Sequence, residues 1–263
     1  MRDFFVALFG TTEGPLEITL FSVWHFLYLF LIIGGTIGAA FALRGRSKEV
    51  TTKVLNVLSI SVVALYAADF FIMPLSEASN HIATDKLPFH VCTLTGVFSA
   101  FAQFNKKFAP VKDVIACLAI VATLMYMTYP GSAIGDRTPY CYKVVQTFLF
   151  HGALFAWGVL SVTTGAVEFS FKNIWKEFVA IALVIIWAML GNAIYSFEGE
   201  VYDWFFVAGH TFPFVPTPLM PLAVLAAVGG MCAIIFSIDL LVKRILQKNA
   251  SNATPFTEQS RIN

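Results

Sequence analysis

The chain has 263 residues, 58% of them hydrophobic and only 13% charged. Soluble domains carry about 25% charged residues, so this composition, with a mean hydropathy of +0.76, excludes a soluble globular domain and places the chain in a membrane. The net charge of +1 points to no nucleic-acid partner; where the charges lie is more informative than their sum.

The opening residues, Met1-Arg2-Asp3-Phe4-Phe5, do not read as a cleavable signal peptide. Phe4, Phe5, Leu8 and Phe9 suit a small amphipathic anchor in the headgroup region. A membrane-spanning helix needs about 20 mostly apolar residues. Seven stretches qualify: 17–43, 52–75, 87–105, 113–129, 144–167, 178–197 and 217–242. The expected fold is therefore all-α, a seven-span membrane domain over residues 1–243 with a polar tail over 244–263. Pro88, Pro218 and Pro221 fall in first turns, where a missing N–H costs nothing.

Basic residues orient this bundle. Arg44, Arg46, Lys48, Lys53, Lys106, Lys107, Lys112, Lys172, Lys176, Lys243, Arg244, Lys248 and Arg261 all belong to one side. The other side holds only Arg2, Lys86, Arg137 and Lys143. The positive-inside rule then sets the N-terminus outside and the C-terminus in the cytoplasm. On the outer side, residues 198–217 are too apolar for a solvated loop and too broken by Gly and Pro for a span. They read as a flap over the end of the bundle.

Counting inward from the outer ends, a set of polar residues falls at one depth: His25, Asp69, His90, Cys92, His151, Asn192 and Tyr195. His210 lies in the flap above them. Ionisable groups inside spans are costly and tend to face a bundle interior or a cavity, so the layer suggests a polar chamber open to the outer leaflet. A single intramembrane His or Asn often does no more than bridge two helices.

The layer has several possible uses. A Cys with a His makes a nucleophilic thiol. His90 and Cys92, two residues apart, face different sides of a regular helix, so the partner for Cys92 is expected from another span, His151, with Asp69 or Asn192 fixing the tautomer of that base. Three His and an Asp also suit zinc. However, no His-x-x-x-His pair stands in the last span and no lysine there could carry a retinal Schiff base. A haem between His25 and His151 lacks the usual paired spacing. The four cysteines, Cys92, Cys117, Cys141 and Cys232, have neither metal-binding spacing nor the density of a disulfide scaffold.

Leu87-Pro88-Phe89-His90-Val91-Cys92-Thr93-Leu94, with Phe150-His151-Gly152, Trp24-His25, Gly191-Asn192-Ala193-Ile194-Tyr195 and Tyr202-Asp203-Trp204-Phe205-Phe206, resembles the YwaF-type bacterial membrane proteins grouped with eukaryotic transmembrane protein 164. The resemblance spans about residues 20–240. It implies a lipid acyltransferase without acyl-CoA: a cysteine takes an acyl chain from a phospholipid and passes it to a lysophospholipid with histidine assistance. Distant relatives imply ester hydrolysis through Thr and His. Carried over by residue, the resemblance implies His90 and His151 as the recurrent histidines and Cys92 as the nucleophile, with Thr93 or Thr95 as the alternative. Taken together, the expectation is catalysis by Cys92, His151 and His90, and lipid binding by His25, Asp69, Asn192, Tyr195 and His210. No metal or other cofactor is expected, and the partners are membrane phospholipids or another lipidic ligand. The alternative is a non-enzymatic binding or transport protein using the same chamber.

Overall fold

The computed structural model describes residues 17–76, 87–131, 133–135, 137–195, 202–209 and 212–253. The anchor expected before Glu17 and the candidate ligand residue His210 lie outside the described residues. Among the described residues seven α-helices follow one another: α1 (Val23–Leu43), α2 (Lys48–Ser76), α3 (Val91–Phe104), α4 (Lys112–Thr128), α5 (Tyr142–Thr163), α6 (Trp175–Tyr195) and α7 (Met220–Ala253). Short 3₁₀ turns lie between them at Lys106–Val111, Phe171–Asn173, Trp204–Phe206 and Thr217–Leu219.

Every stretch expected to span forms a helix, but only six are long and apolar enough to cross a membrane. The exception corrects the 87–105 span: α3 has 14 residues, about 21 Å at 1.5 Å per residue against a hydrocarbon core of about 30 Å. It is cut short at its start. Leu87-Pro88-Phe89 forms a turn before it, and at its end Asn105 caps the next turn by accepting a bond from the Lys107 N–H at 3.0 Å. The last helix differs the other way. No Gly or Pro interrupts residues 231–253, and α7 runs through Lys243 to Ala253, so ten residues of the expected tail are helical.

The hub is α5. In its apolar window 72% of residues are buried, and 56% in the stretch that contains α4, whereas only 6% are buried in α1. Helices α1, α2 and α4 pack on α5; α3 packs on α2 and α4; α6 and α7 pair on the far side of α4. Side-chain contacts fix how these helices slide against one another. Gln146 Nε2 donates to the Leu65 carbonyl at 3.3 Å and Tyr142 adjoins Asp69, so α2 and α5 run antiparallel. Tyr126 stacks on His151 and Ala119 abuts Gly158, so α4 and α5 do too. Helix α3 runs parallel to α5. Gly96 packs on Phe150 and Trp157 Nε1 donates to Gln103 Oε1 at 3.3 Å, both pairs 54 positions apart.

Gln103 ties four helices. Its amide donates to Asn56 Oδ1 at 2.7 Å, and its carbonyl oxygen also accepts from Lys112 Nζ at 3.1 Å. This end of the bundle carries the basic connections; the opposite end carries the turns over 202–219.

Candidate functional site

The residues of the expected layer lie near the flap end, but they form separate groups. His25 is in the first turn of α1, after the N-cap Ser22. Its Nδ1 accepts the Phe21 N–H at 3.0 Å, so the proton sits on Nε2, which donates to the Met127 carbonyl at 2.8 Å. Nδ1 thus holds the turn that leads into α1 and Nε2 joins α1 to the end of α4, and the residue is fully buried. His25→Leu is therefore expected to lower stability by about 1–3 kcal/mol through the buried groups it leaves unsatisfied. A thermal melt in detergent measures this. The role fails if the variant melts with the wild type.

Asn192 forms the second group. Its Oδ1 accepts the Trp204 N–H at 2.8 Å and its Nδ2 donates to the Trp204 carbonyl at 3.4 Å. The amide thus holds the flap backbone as a neighbouring strand would. Around that latch Phe89 lies against Trp187, Tyr195 and Trp204, with centroids 5.2, 5.8 and 4.8 Å away. Gly191 gives Phe89 its place, since a Cβ there would collide with the ring. Trp187 Nε1 donates to the Pro88 carbonyl at 2.7 Å. The flap itself is strained: Phe205 and Phe206 have φ of 60° and 58°, at about 1–3 kcal/mol each. Phe206 faces the ring of His90, the half-buried N-cap residue of α3, at 6.4 Å.

The third group is the seam between α2, α3 and α5. Asp69 is buried with Tyr142 beside it, and Lys143, Gln146 and Thr147 are buried in the first turns of α5. Cys92 is buried one turn before Gly96 on the same face of α3. The spacing of 54 sets Cys92 level with Gln146 and His151 level with Val97. Thiol and imidazole are thus offset by about five residues, about 8 Å along the axis. They also face different ways. Tyr142, Gln146, Phe150 and Trp157 form the α5 face toward α2 and α3, while His151 and Gly158 face α4. His151 Nδ1 donates to the Thr147 carbonyl at 2.8 Å, which makes Nε2 the basic atom of the neutral ring. Its plane stacks on Tyr126 at 4.0 Å and 7°. Of the two threonines, Thr95 is buried and donates to the Val91 carbonyl at 2.6 Å, and Thr93 is half-buried.

The three histidines do not gather. Among the described residues no three His, Cys, Asp or Glu side chains come together as metal ligands would. The thiols of Cys92, Cys117, Cys141 and Cys232 are free and buried.

The TMEM164 family matches the chain over residues 20–239. The chain belongs to the TMEM164 family. Its helices make it a multi-pass membrane protein. No curated protein and no solved structure matches the chain.

Sequence reasoning passed over Tyr142, Lys143, Gln146 and Thr147, although Tyr142 and Gln146, and Thr147 and His151, each stand four apart on one helical face. It also passed over Glu177. Helix α6 starts at Trp175, which buries this carboxylate at the basic end near Asp113 and Cys117. Its Oε2 lacks a hydrogen-bond partner among the described residues.

Proposed function

We propose that this TMEM164-family protein moves or cleaves acyl chains of membrane lipids at the flap end, facing the outer leaflet. The observation that carries the reading is the buried Cys92 thiol at the level of a polar seam, Asp69, Tyr142 and Gln146, inside an otherwise apolar bundle. In this reading the Cys92 thiolate attacks the ester carbonyl of a phospholipid. The C–S bond forms as the C–O bond breaks, and the departing lysophospholipid oxygen takes a proton from histidine. An acceptor hydroxyl or water then attacks the thioester: a C–O bond forms as the C–S bond breaks, the base takes the acceptor's proton, and that proton passes to the departing thiolate to restore the thiol. His90 stands at the mouth under Phe206. His151 Nε2 lies deeper, where the offset suits it to the acceptor more than to the thiol. Asp69, Asn192, Tyr195 and His210 orient the ester or close the site, and His25 braces α1.

The test is a thioester on Cys92. Purified protein incubated with a phospholipid should gain the mass of one acyl chain, removable by hydroxylamine, and Cys92→Ala should lose both adduct and turnover by about 10³-fold. His151→Ala should slow adduct breakdown more than formation if it serves the acceptor. Turnover that survives Cys92→Ala but not Thr93→Val with Thr95→Val moves the nucleophile to threonine. Turnover that survives all three ends the acyl-transfer reading.

The second reading, a binding or transport protein for a lipidic or small ligand, is favoured by Asp69. A carboxylate buried beside a tyrosine between two spans suits a ligand-binding residue as well as a catalytic one. It predicts phospholipid retention without any adduct.

A further inference from the structure

At the basic end, the far end of α5 from Cys92, a cleft of about 370 Å³ opens between the α1–α2 turn and the end of α5. One wall carries Arg44, Arg46 and Lys48, and the other Thr163 and Thr164. No acidic residue lines it. The nearest acid in sequence, Glu49, is held on the exposed side by Lys53 at 2.7 Å. Three cations facing one small concavity repel each other, and an anion between them removes that cost.

The backbone is shaped for the same purpose. Gly45 and Gly165, with φ of 74° and 75°, turn the chain at the ends of α1 and α5, and a Cβ on either would meet nothing within 4 Å. Open space therefore adjoins both glycines. Arg46 Nε donates to the Ala42 carbonyl at 3.3 Å, which fixes the guanidinium while its two terminal amino groups remain available for a forked contact. Helix α2 begins here behind Ser47, whose oxygens accept from the N–H groups of Val50 and Thr51. The free amides of its first turn add partial positive charge. Cations at the end of α1 also complement that helix's own dipole, but this does not account for a hollow walled by threonines from α5.

We propose that this cleft binds a phosphate group, presented by an anionic lipid headgroup or by a soluble phosphate ester. The site is separate from Cys92 and does not depend on the acyl-transfer reading. The experiment is native mass spectrometry of the full chain released from nonionic detergent, with phosphatidic acid, phosphatidylcholine or glycerol 3-phosphate as the probe. One phosphatidic acid should be retained in preference to phosphatidylcholine, and R44Q/R46Q/K48Q should weaken it by about tenfold or more. R46Q alone, which changes the fold least, should weaken it about threefold. K106Q/K107Q removes charge from the same end outside the cleft and should leave retention unchanged. Retention of phosphatidic acid but not glycerol 3-phosphate identifies a headgroup site, and retention of both identifies a general phosphate-ester site. Retention of neither probe overturns the proposal, as does equal weakening by K106Q/K107Q and the triple variant.

Discussion

Gly158→Val should be the most destabilising single substitution in the bundle, by about 3 kcal/mol or more, with Gly158→Ala costing about half as much. A Cβ at Gly158 would stand 2.9 Å from the Ala116 carbonyl oxygen, 2.9 Å from Ile120 Cγ1 and 3.2 Å from Ala119 Cβ. The first of these is main chain and cannot turn away. Helices α4 and α5 would have to separate along the most buried seam in the protein, and in a membrane close approach of small residues is a main source of helix association. Thermal melts of purified protein in one detergent check this. An unchanged melting temperature for Gly158→Val would show that α4 and α5 tolerate the separation. Gly35, where a Cβ meets nothing within 4 Å, serves as the control: Gly35→Ala should be neutral or slightly stabilising because glycine is the poorer helix former.

Asn192→Leu should release the flap without unfolding the bundle. The substitution keeps the volume but leaves a buried N–H and carbonyl of Trp204 without the amide that pairs them, at about 1–3 kcal/mol for each group. It also withdraws what holds Phe205 and Phe206 at positive φ. Release of about 3 kcal/mol corresponds to about a hundredfold faster exchange of the Trp204 amide, with new protease cleavage between 202 and 219 and little change in α4 or α5. Asn192→Asp retains the acceptor for the Trp204 N–H and should fall between wild type and leucine. Exchange at Trp204 equal to wild type in the leucine variant would assign the latch to the Phe89, Tyr195 and Trp204 rings instead.

Hydropathy made the seven helices legible because long apolar runs are what a bilayer demands. It placed the end of α3 within one residue but not its start, which falls at Val91. The apolar run begins at Leu87, and a hydropathy sum cannot see that its first residues form a turn before the helix starts. Depth along each axis could be counted, but the direction around the axis could not. That direction separates Gln146, turned toward α2 and α3, from His151, turned toward α4, although they are five residues apart. The burial of Lys143 and Glu177 went unread for a related reason. Each stands just outside an apolar run, but α5 and α6 begin two to three residues earlier than hydropathy suggests and carry both side chains into the protein.

Helix α1 touches the bundle along one narrow stripe, from His25, Tyr28 and Ile32 to Thr36, Ala39 and Leu43, and its partners on α5 stand 120 positions later, as in Tyr28 with Phe148 and Ile32 with Gly152. During synthesis α1 leaves the ribosome well before α5, and it must wait in the lipid until α5 exists. A helix with so little buried surface can wait there at low cost, because lipid already satisfies most of its sides. Two hydrogen bonds that secure it lie at the flap end, His25 to the Met127 carbonyl and Tyr28 to the Pro139 carbonyl at 2.7 Å. Helix α1 is thus made early and secured late.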